Sequence, residues 1–270
     1  MKTAIGVIGC GNMGQALMRG MLRARLVSPA QLAVADADPA KLRSVARAMR
    51  VQVCSNTEAA HADVVLLAVK PQQTDGLLAE IRPLLCPSGL VVSIAAGIPT
   101  AWIESRLNPR AAVVRVMPNT PALIGAGVSA VAPGRRAGAK HLKAVHRIFS
   151  SVGSVVQVPE RWMDAVTALS GSGPAYFFFL MERMIETGVS LGLSRKVAAA
   201  LVLQTASGAA RLAAESGEDP AMLRARVTSK RGTTEAAFAA FAKFRLAEGL
   251  SEGIRAAARR SKELARELGG

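Results

Sequence analysis

The sequence has few of the residues that mark disulfide-rich, metal-binding and nucleic-acid-binding proteins. Its 270 residues include three cysteines, three histidines and one tyrosine, and aromatic residues make up only 4%. Cys10, Cys54 and Cys86 are odd in number and widely spaced. This spacing argues against a disulfide framework or a metal site and favours a reducing compartment. We therefore predict a cytoplasmic protein without a metal ion.

Long apolar runs are also missing. The runs from Leu66 to Val69 and from Tyr176 to Met181 are each ended by charged residues before they reach the length of a membrane span. Met1-Lys2 leads directly into an apolar segment, which predicts that there is no signal peptide. Hydrophobic residues make up 50% and charged residues 20%, so we expect a globular chain outside the membrane.

Negative charge is scarce, and the formal net charge is +15. The basic residues are scattered along helix-like segments such as Lys41 to Arg50 and Arg255 to Arg266, and they do not alternate with aromatic residues. Solvated helix faces explain this pattern better than a nucleic-acid site. The positive charge can still attract an anionic cofactor and an anionic substrate.

A glycine cluster lies between a short apolar run and a helix-like pattern near the N-terminus. Gly9, Gly11 and Gly14 have the G-x-G-x-x-G spacing. The first glycine permits a sharp turn, the second lets a pyrophosphate approach the backbone, and the third lets the helix pack closely on the strand. The free N–H groups of the following helix face the phosphates. The segment predicts a dinucleotide site.

An acidic residue follows the second predicted strand at the position where an acid can bind the adenine ribose. Asp36 comes directly after the strand and favours NAD, because a carboxylate repels a 2′-phosphate. Ala37 stands where an NADP enzyme often has arginine, while basic residues shortly after it soften the repulsion. Alternatively, Asp36 or Asp38 only caps the helix that begins near Pro39.

Strand-like and helix-like segments alternate as far as Pro159, and only helix-like segments follow. The predicted strands are the run before Gly9 and Gln31–Ala35, Val51–Val53, Val64–Val69, Leu90–Ile94, Ala112–Val116, Val128–Ala132 and Val155–Val158. The helices expected after Glu160 are about Asp164–Leu191, Arg195–Ser216, Pro220–Arg226, Glu235–Phe244 and Glu248–Leu268. We predict an α/β dinucleotide-binding domain over residues 1–160 and a helical domain over residues 161–270.

Several loops follow the predicted parallel strands, at the edge where open α/β sheets bind ligands. Lys70-Pro71 can meet a phosphate or the nicotinamide ribose, unless Lys70 is only an exposed loop residue. Small residues from Ser93 to Gly97 leave room for a ligand against the backbone. The segment Met117 to Pro121 forms a rigid loop with two prolines. Asn56 follows the third strand, where capping a helix is the stronger explanation for it.

The helical half contains two irregular stretches and one very apolar segment. Glycines and a proline between Ser170 and Tyr176 break or kink a helix. Val227 to Glu235 combines hydroxyl side chains, a glycine and two cations before a helix, which predicts either a carboxylate cradle or ordinary turn and cap chemistry. Phe177, Phe178 and Phe179 point to different sides of a helix, so we predict a dimer through these helices.

Six of these motifs together resemble the Δ1-pyrroline-5-carboxylate reductase family. They are Gly9–Gly14, Ala68–Pro71, Ser93–Gly97, Arg115–Pro121, Gly171–Tyr176 and Thr228–Thr234. The resemblance covers essentially the whole chain. It implies a Rossmann-type N-terminal domain, a helical dimerisation domain whose dimers often assemble into rings, and hydride transfer from NADPH or NADH to a cyclic imine.

The resemblance also implies roles for individual residues. Ser229, Gly232 and Thr233 would hold the substrate carboxylate, and Thr234 would lie beside the ring nitrogen as the catalytic residue. The residues expected to contact the cofactor are Gly9, Gly11, Asn12, Met13, Gly14, Asp36, Asn56, Ala68, Val69, Lys70, Pro71, Ala95, Ala96, Gly97, Met117, Pro118 and Asn119.

Two departures from the family pattern affect these expectations. The family usually has Gly-Gly in the substrate loop, where this chain has Arg231-Gly232. NADPH-preferring members tend to carry polar or basic residues at the position of Asp36-Ala37, so the cofactor preference stays open.

Three other functions compete with this interpretation. A β-hydroxyacid dehydrogenase would need a lysine on a central helix, but Asp164 to Leu191 contains none. A reductase of another cyclic imine would not need a carboxylate cradle. A regulatory module could use the same fold without turnover, although the stretch from Ser229 to Thr234 argues against this.

Overall fold

The computed structural model describes residues 4–269, without the side chains of residues 268 and 269. Met1 and Lys2, on which the prediction about a signal peptide rests, lie outside this range. The chain forms two compact units by its internal contacts. Unit 1 comprises residues 1–172 and 257–270, and unit 2 comprises residues 173–256.

A single sheet forms the centre of unit 1. Its strands β1 to β8 are Ile5–Ile8, Leu32–Ala35, Gln52–Val53, Val64–Leu67, Leu90–Ser93, Ala112–Met117, Gly127–Pro133 and Gly153–Gln157. Their spatial order is β3-β2-β1-β4-β5-β6-β7-β8. Strands β1 to β6 are parallel. Strands β2 and β3 follow on one side of β1 and strands β4 to β6 on the other side, so the switch point lies between β1 and β4. In open α/β sheets, ligands bind at such a switch point.

The strands are apolar on both faces because the sheet is covered on both sides. Along β1, Val7 packs into one core cluster and Ile8 into another, as the two-residue period of a strand requires. Strands β1, β2 and β5 are continuous runs of buried residues, as is typical of the central strands of a parallel sheet.

The last two strands run in the opposite direction. Strand β7 pairs antiparallel with β6, and β8 pairs parallel with β7. The sequence predicted both strands but not their direction. Gly153 begins β8 with φ of 148°, and a Cβ there would lie 1.9 Å from the carbonyl oxygen of Gly127. Glycine is therefore required at this close approach of two strands.

The helices agree with the predicted order and differ at some ends. Helices α1 to α12 are Asn12–Arg23, Pro39–Met49, Asn56–Ala59, Thr74–Ile81, Thr100–Arg106, Ala139–Ser150, Met163–Val166, Gly173–Ser190, Arg195–Ser216, Pro220–Arg226, Thr233–Lys243 and Leu246–Gly269. The predicted break near Ser170 is a π-helical turn over Thr167–Gly171, which separates α7 from α8. Helix α11 begins at Thr233, two residues earlier than predicted, so Thr233 and Thr234 belong to its first turn.

The compact units divide the chain differently from the predicted domains of residues 1–160 and 161–270. Residues 160–172 belong to unit 1, because Met163 is buried against Ala130 and Ala132 of β7. The C-terminal part of α12 also belongs to unit 1. There, the Ser261 hydroxyl donates to Asp164 over 2.8 Å, and this hydroxyl contact could not be read from the local sequence.

One helix within the described range, α9, is long and apolar enough by length and composition to cross a membrane. The mean hydropathy of its most apolar 18-residue stretch is 1.4, and 11% of that stretch is buried. The expectation from the sequence concerned uninterrupted apolar runs, and in α9 Arg211 interrupts the run. Length and composition are weak evidence for a span, because a helix that packs against another protein surface has the same properties.

Candidate cofactor and substrate sites

The turn between β1 and α1 depends on two of its glycines for internal reasons. Gly9 has φ of 108°, and a Cβ there would lie 2.4 Å from the carbonyl oxygen of Ala68. A Cβ on Gly14 would lie 2.2 Å from the carbonyl oxygen of Gly9. These two positions therefore have room only for glycine, and they hold α1 close to the strand.

Gly11 differs from the other two glycines. It is the N-cap of α1 with φ of −66° and ψ of 179°, a conformation open to most residues. A Cβ there would meet nothing within 4 Å. In the described part of the chain no side chain caps α1, so its first N–H groups are left without a capping acceptor. The space and the free donors together fit a bound phosphate group.

Asp36 extends the same site from the end of β2. Its Oδ2 accepts from the backbone N–H of Cys10 over 2.5 Å, and its Oδ1 accepts from the N–H of Asp38 over 2.8 Å. The cap of α2 is Asp38, whose carboxylate accepts from the N–H groups of Ala40 and Lys41. Asp36 is therefore fixed beside the glycine turn, and capping is not its role.

Asn56 does not cap α3. The cap is Ser55, whose hydroxyl accepts from the N–H of Glu58 while Glu58 bonds back to the Ser55 N–H. The Asn56 amide instead donates to Glu80 over 2.9 Å. The expectation that Asn56 is a cap was wrong by one residue, because serine and asparagine are similarly good caps.

The remaining predicted cofactor residues of unit 1 follow β4, β5 and β6 at the carboxyl edge of the sheet. Ala68 and Val69 follow β4, and exposed Lys70 precedes a 3₁₀ turn that starts at Pro71. Ala95 to Gly97 follow β5, and Gly97 has φ of 77°. Met117 ends β6, and Pro118 and Asn119 follow it. Thus the sheet places these segments beside the glycine turn, in the order β4, β5, β6.

The Asn119 side chain forms a hydrogen bond within the protein that does not depend on a ligand. Its Oδ1 accepts from the backbone N–H of Val128 over 2.9 Å, at the start of β7. The amide group still has two N–H donors. The residue therefore shapes the loop between β6 and β7 and can also donate to a ligand.

A buried ion pair lies behind these loops, and the sequence indicated only one of its members. Arg115 is 5% exposed within β6, and its guanidinium lies 3.6 Å from Glu160. Burial lowers the pKa of Arg115, and the Glu160 carboxylate opposes that change. Glu160 also accepts from the N–H and hydroxyl of Thr100. The sequence analysis did not predict this pair, although a lone arginine in an apolar strand is a signal that could have indicated a buried partner.

The candidate substrate loop lies in unit 2. Gly232 is the N-cap of α11 and offers no side-chain cap, so the first N–H groups of the helix are open to an anion. Within residues 4–269, the hydroxyls of Ser229, Thr233 and Thr234 have no hydrogen-bond partner, whereas that of Thr228 donates to the Arg224 carbonyl over 2.7 Å. These donors suit a carboxylate.

Arg231 occupies the position where the family usually has the first glycine. Its φ is 59°, in the left-handed region that favours glycine. Its N–H donates to the Glu235 carboxylate over 2.6 Å, which helps hold this conformation. The loop therefore keeps a glycine-like backbone while it carries an exposed arginine side chain.

Comparisons with known proteins match both parts of the chain. The family model for the pyrroline-5-carboxylate reductase dimerisation region matches residues 160–264. The model for the NADP oxidoreductase, coenzyme F420-dependent, matches residues 4–97.

Individual relatives align along nearly the full length. A pyrroline-5-carboxylate reductase from Pseudomonas aeruginosa is 45% identical over 268 residues, 98% of each chain. One from Methanosarcina acetivorans is 39% identical over 97% of this chain and 98% of its own. A Coxiella burnetii reductase structure has a TM-score of 0.90 at 35% identity, covering 98% of this chain and 99% of that one.

A Plasmodium falciparum structure of a pyrroline carboxylate reductase with NADP bound is also similar. Its TM-score is 0.88 at 31% identity, and the match covers 97% of this chain and 98% of that chain. With its Rossmann-type sheet, its helical second unit and these relatives, the chain belongs to the pyrroline-5-carboxylate reductase family.

Proposed function

We propose that this protein reduces Δ1-pyrroline-5-carboxylate to L-proline with NADPH or NADH, the last step of proline synthesis. The observation that carries the proposal is the first turn of α11, with open N–H groups and unpartnered hydroxyls. An anionic imino acid needs such donors for its carboxylate. The names of the relatives at 45% and 39% identity support the same substrate.

Unit 1 supplies the cofactor site. The open space at Gly11 and the uncapped N-terminus of α1 receive the pyrophosphate, and Asp36 binds the adenine ribose. The segments after β4, β5 and β6 bind the remainder. When bound, the reduced nicotinamide supplies the hydride.

Unit 2 supplies the substrate site. Ser229, Gly232 and Thr233 hold the carboxylate, and the Thr234 hydroxyl bonds the ring nitrogen. The imine carbon gains a hydride, the π pair of the C=N bond moves to nitrogen, and that nitrogen carries the proton of the resulting amine. Because a protonated imine is already electrophilic, alignment provides most of the catalysis and a strong side-chain acid is unnecessary.

The direct test is an assay with purified protein, pyrroline-5-carboxylate and either reduced nicotinamide. Loss of the near-ultraviolet nicotinamide absorbance and formation of proline are expected. Parallel reactions with 1-pyrroline, which lacks the carboxylate, test the cradle. Equal rates with both imines would show that the protein reduces a different cyclic imine.

The role of Thr234 can be tested by substitution. We expect Thr234→Ala to lower kcat by about 10²-fold, because the ring nitrogen loses its hydroxyl partner. Thr228→Ala is the matched control, since the Thr228 hydroxyl already donates to the Arg224 carbonyl. Unchanged turnover and substrate affinity in Thr234→Ala would contradict the role.

The protein is further proposed to form a homodimer through the C-terminal helices, and the resemblance to the family implies that such dimers assemble into a larger ring. Phe177, Phe178 and Phe179 are each 61–62% exposed on α8 of the single chain. Leu180 and Met184 of the same helix are exposed as well. Large apolar side chains exposed in this number need a cover, and a second copy supplies one by symmetry. The free cysteines fit a cytoplasmic location.

A further inference from the structure

The end of β2 carries two fixed negative charges beside the glycine turn. The Asp36 side chain is 10% exposed and is held by the N–H groups of Cys10 and Asp38. Asp38 caps α2, and the N–H groups of Lys41 and Ala40 lower its pKa, so its carboxylate is ionised at neutral pH. Both charges therefore lie where the adenine ribose of a dinucleotide is expected.

Little positive charge compensates them. Within residues 4–269, Lys41 is the one cationic side chain that forms an ion pair with either carboxylate, and its Nζ lies 3.8 Å from Asp36 and 3.9 Å from Asp38. It is shared between the two anions, and Arg43 acts on Asp38 only at longer range, without an ion pair in the described part of the chain. Ala37, between the two acids, has no group that could bind a phosphate.

The Asp36 carboxylate keeps the capacity to bind a sugar. Each of its oxygens accepts one backbone N–H, and each has a second lone pair. Two lone pairs match the two hydroxyls of an unphosphorylated ribose. A 2′-phosphate carries a charge of about −2. It would be repelled by the Asp36 carboxylate, which is held in place and cannot turn away.

From this arrangement we infer that Asp36 selects the cofactor, and that this protein uses NADH in preference to NADPH. The inference rests on the proposed dinucleotide site and adds its specificity. Asp38 strengthens the selection through its charge, while its own hydrogen bonds serve α2.

The test uses binding without turnover. Isothermal titration of the full-length protein with ADP-ribose and with 2′-phospho-ADP-ribose measures the adenosine side of the site alone. We expect ADP-ribose to bind at least tenfold more tightly. Asp36→Asn should reduce that ratio at least fivefold, because the amide removes the charge and cannot accept at both atoms.

Asp219→Asn is the matched control. Asp219 caps α10 through the N–H of Ala221, and asparagine is an equally good cap, so this variant removes one charge without a ribose contact. Its binding ratio should stay within twofold of the wild type. Asp38→Asn likewise keeps its cap and should reduce the ratio less than Asp36→Asn does.

Equal or tighter binding of the phosphorylated fragment by the wild type would overturn the inference, as would an unchanged ratio in Asp36→Asn. Binding of neither fragment would overturn both the inference and the cofactor site. The expected ratio without reduction of pyrroline-5-carboxylate would reject the proposed function alone. Reduction with NADPH as efficient as with NADH would reject the preference alone.

Discussion

At the scale of single residues, the three glycines of the first turn have separable roles. Gly9 and Gly14 are required by contacts with the backbone, whereas Gly11 faces open space. The motif predicted a separate role for each glycine, and these contacts agree with those roles. The sequence could not predict that the Ala68 carbonyl is the group that Gly9 approaches, because that contact joins two different strand ends. Arg231 has a left-handed φ, which its residue type does not predict because arginine rarely adopts this conformation.

We expect Gly11→Ala and Gly14→Ala to fail in different ways. Gly11→Ala should leave the free energy of unfolding within about 0.5 kcal/mol of wild type, because its Cβ meets no protein atom. Its affinity for ADP-ribose should fall at least tenfold. Gly14→Ala should lose about 1–3 kcal/mol of stability, because its Cβ overlaps the Gly9 carbonyl. Urea unfolding and calorimetric titration measure both, and wild-type affinity in Gly11→Ala would contradict the phosphate site.

The buried thiol of Cys10 leads us to expect that the folded protein loses stability at alkaline pH. Burial, together with the charge of Asp36, raises its pKa from 9.0 to about 12. A raised folded pKa stabilises the protein below the unfolded pKa, and this contribution is lost as the pH rises from about 9 towards 12. The Tm of the wild type should therefore fall more steeply above pH 9 than that of Cys10→Ala. Parallel curves between pH 7 and 10.5 would contradict the burial of the thiol.

At the scale of elements, α12 was predicted as a helix but its surroundings were not. Its C-terminal part lies in unit 1, where Ala265 approaches the Gly97 turn and Ser261 bonds Asp164. A Cβ on Gly97 would lie 3.3 Å from the Ala265 nitrogen. Periodicity identifies a helix and its apolar face, but it cannot say which distant segment covers that face.

The hydrogen bond of Ser261 offers a test of this packing. Ser261 is 4% exposed, so Ser261→Ala should lower the free energy of unfolding by about 1 kcal/mol as the Asp164 carboxylate loses its donor. Ser251→Ala, at an exposed position of the same helix, is the control and should have almost no effect. Equal urea midpoints for the two variants would mean that the bond contributes nothing.

At the scale of the whole molecule, composition and alternation predicted the α/β class and the helical C-terminal half. They could not predict the reversed β7 and β8, because strand direction is set by connections and pairing rather than by local residues. The apolar segment around Phe178 was expected to be buried. It is exposed in the single chain, and the proposed dimer would bury it.

The proposed dimer can be tested by a substitution on α8. Phe178→Asp should convert the proposed dimer to a monomer, because a symmetric interface would contain the new charge twice. The helical circular dichroism should persist, since Phe178 is 62% exposed in the single chain. Lys140→Asp, at an exposed position of α6 in unit 1, is the charge-change control. Light scattering that gives one mass for all three proteins would locate the interface elsewhere.

The division of α12 between the two units has a consequence for biosynthesis. A ribosome delivers the chain from its N-terminus, at roughly 5–20 residues per second. The sheet and its glycine turn emerge early, but residues 257–269, which complete unit 1, are made only after all of unit 2. On the ribosome, the Gly97 turn and Asp164 therefore meet Ala265 and Ser261 only after the whole of unit 2 has been synthesised.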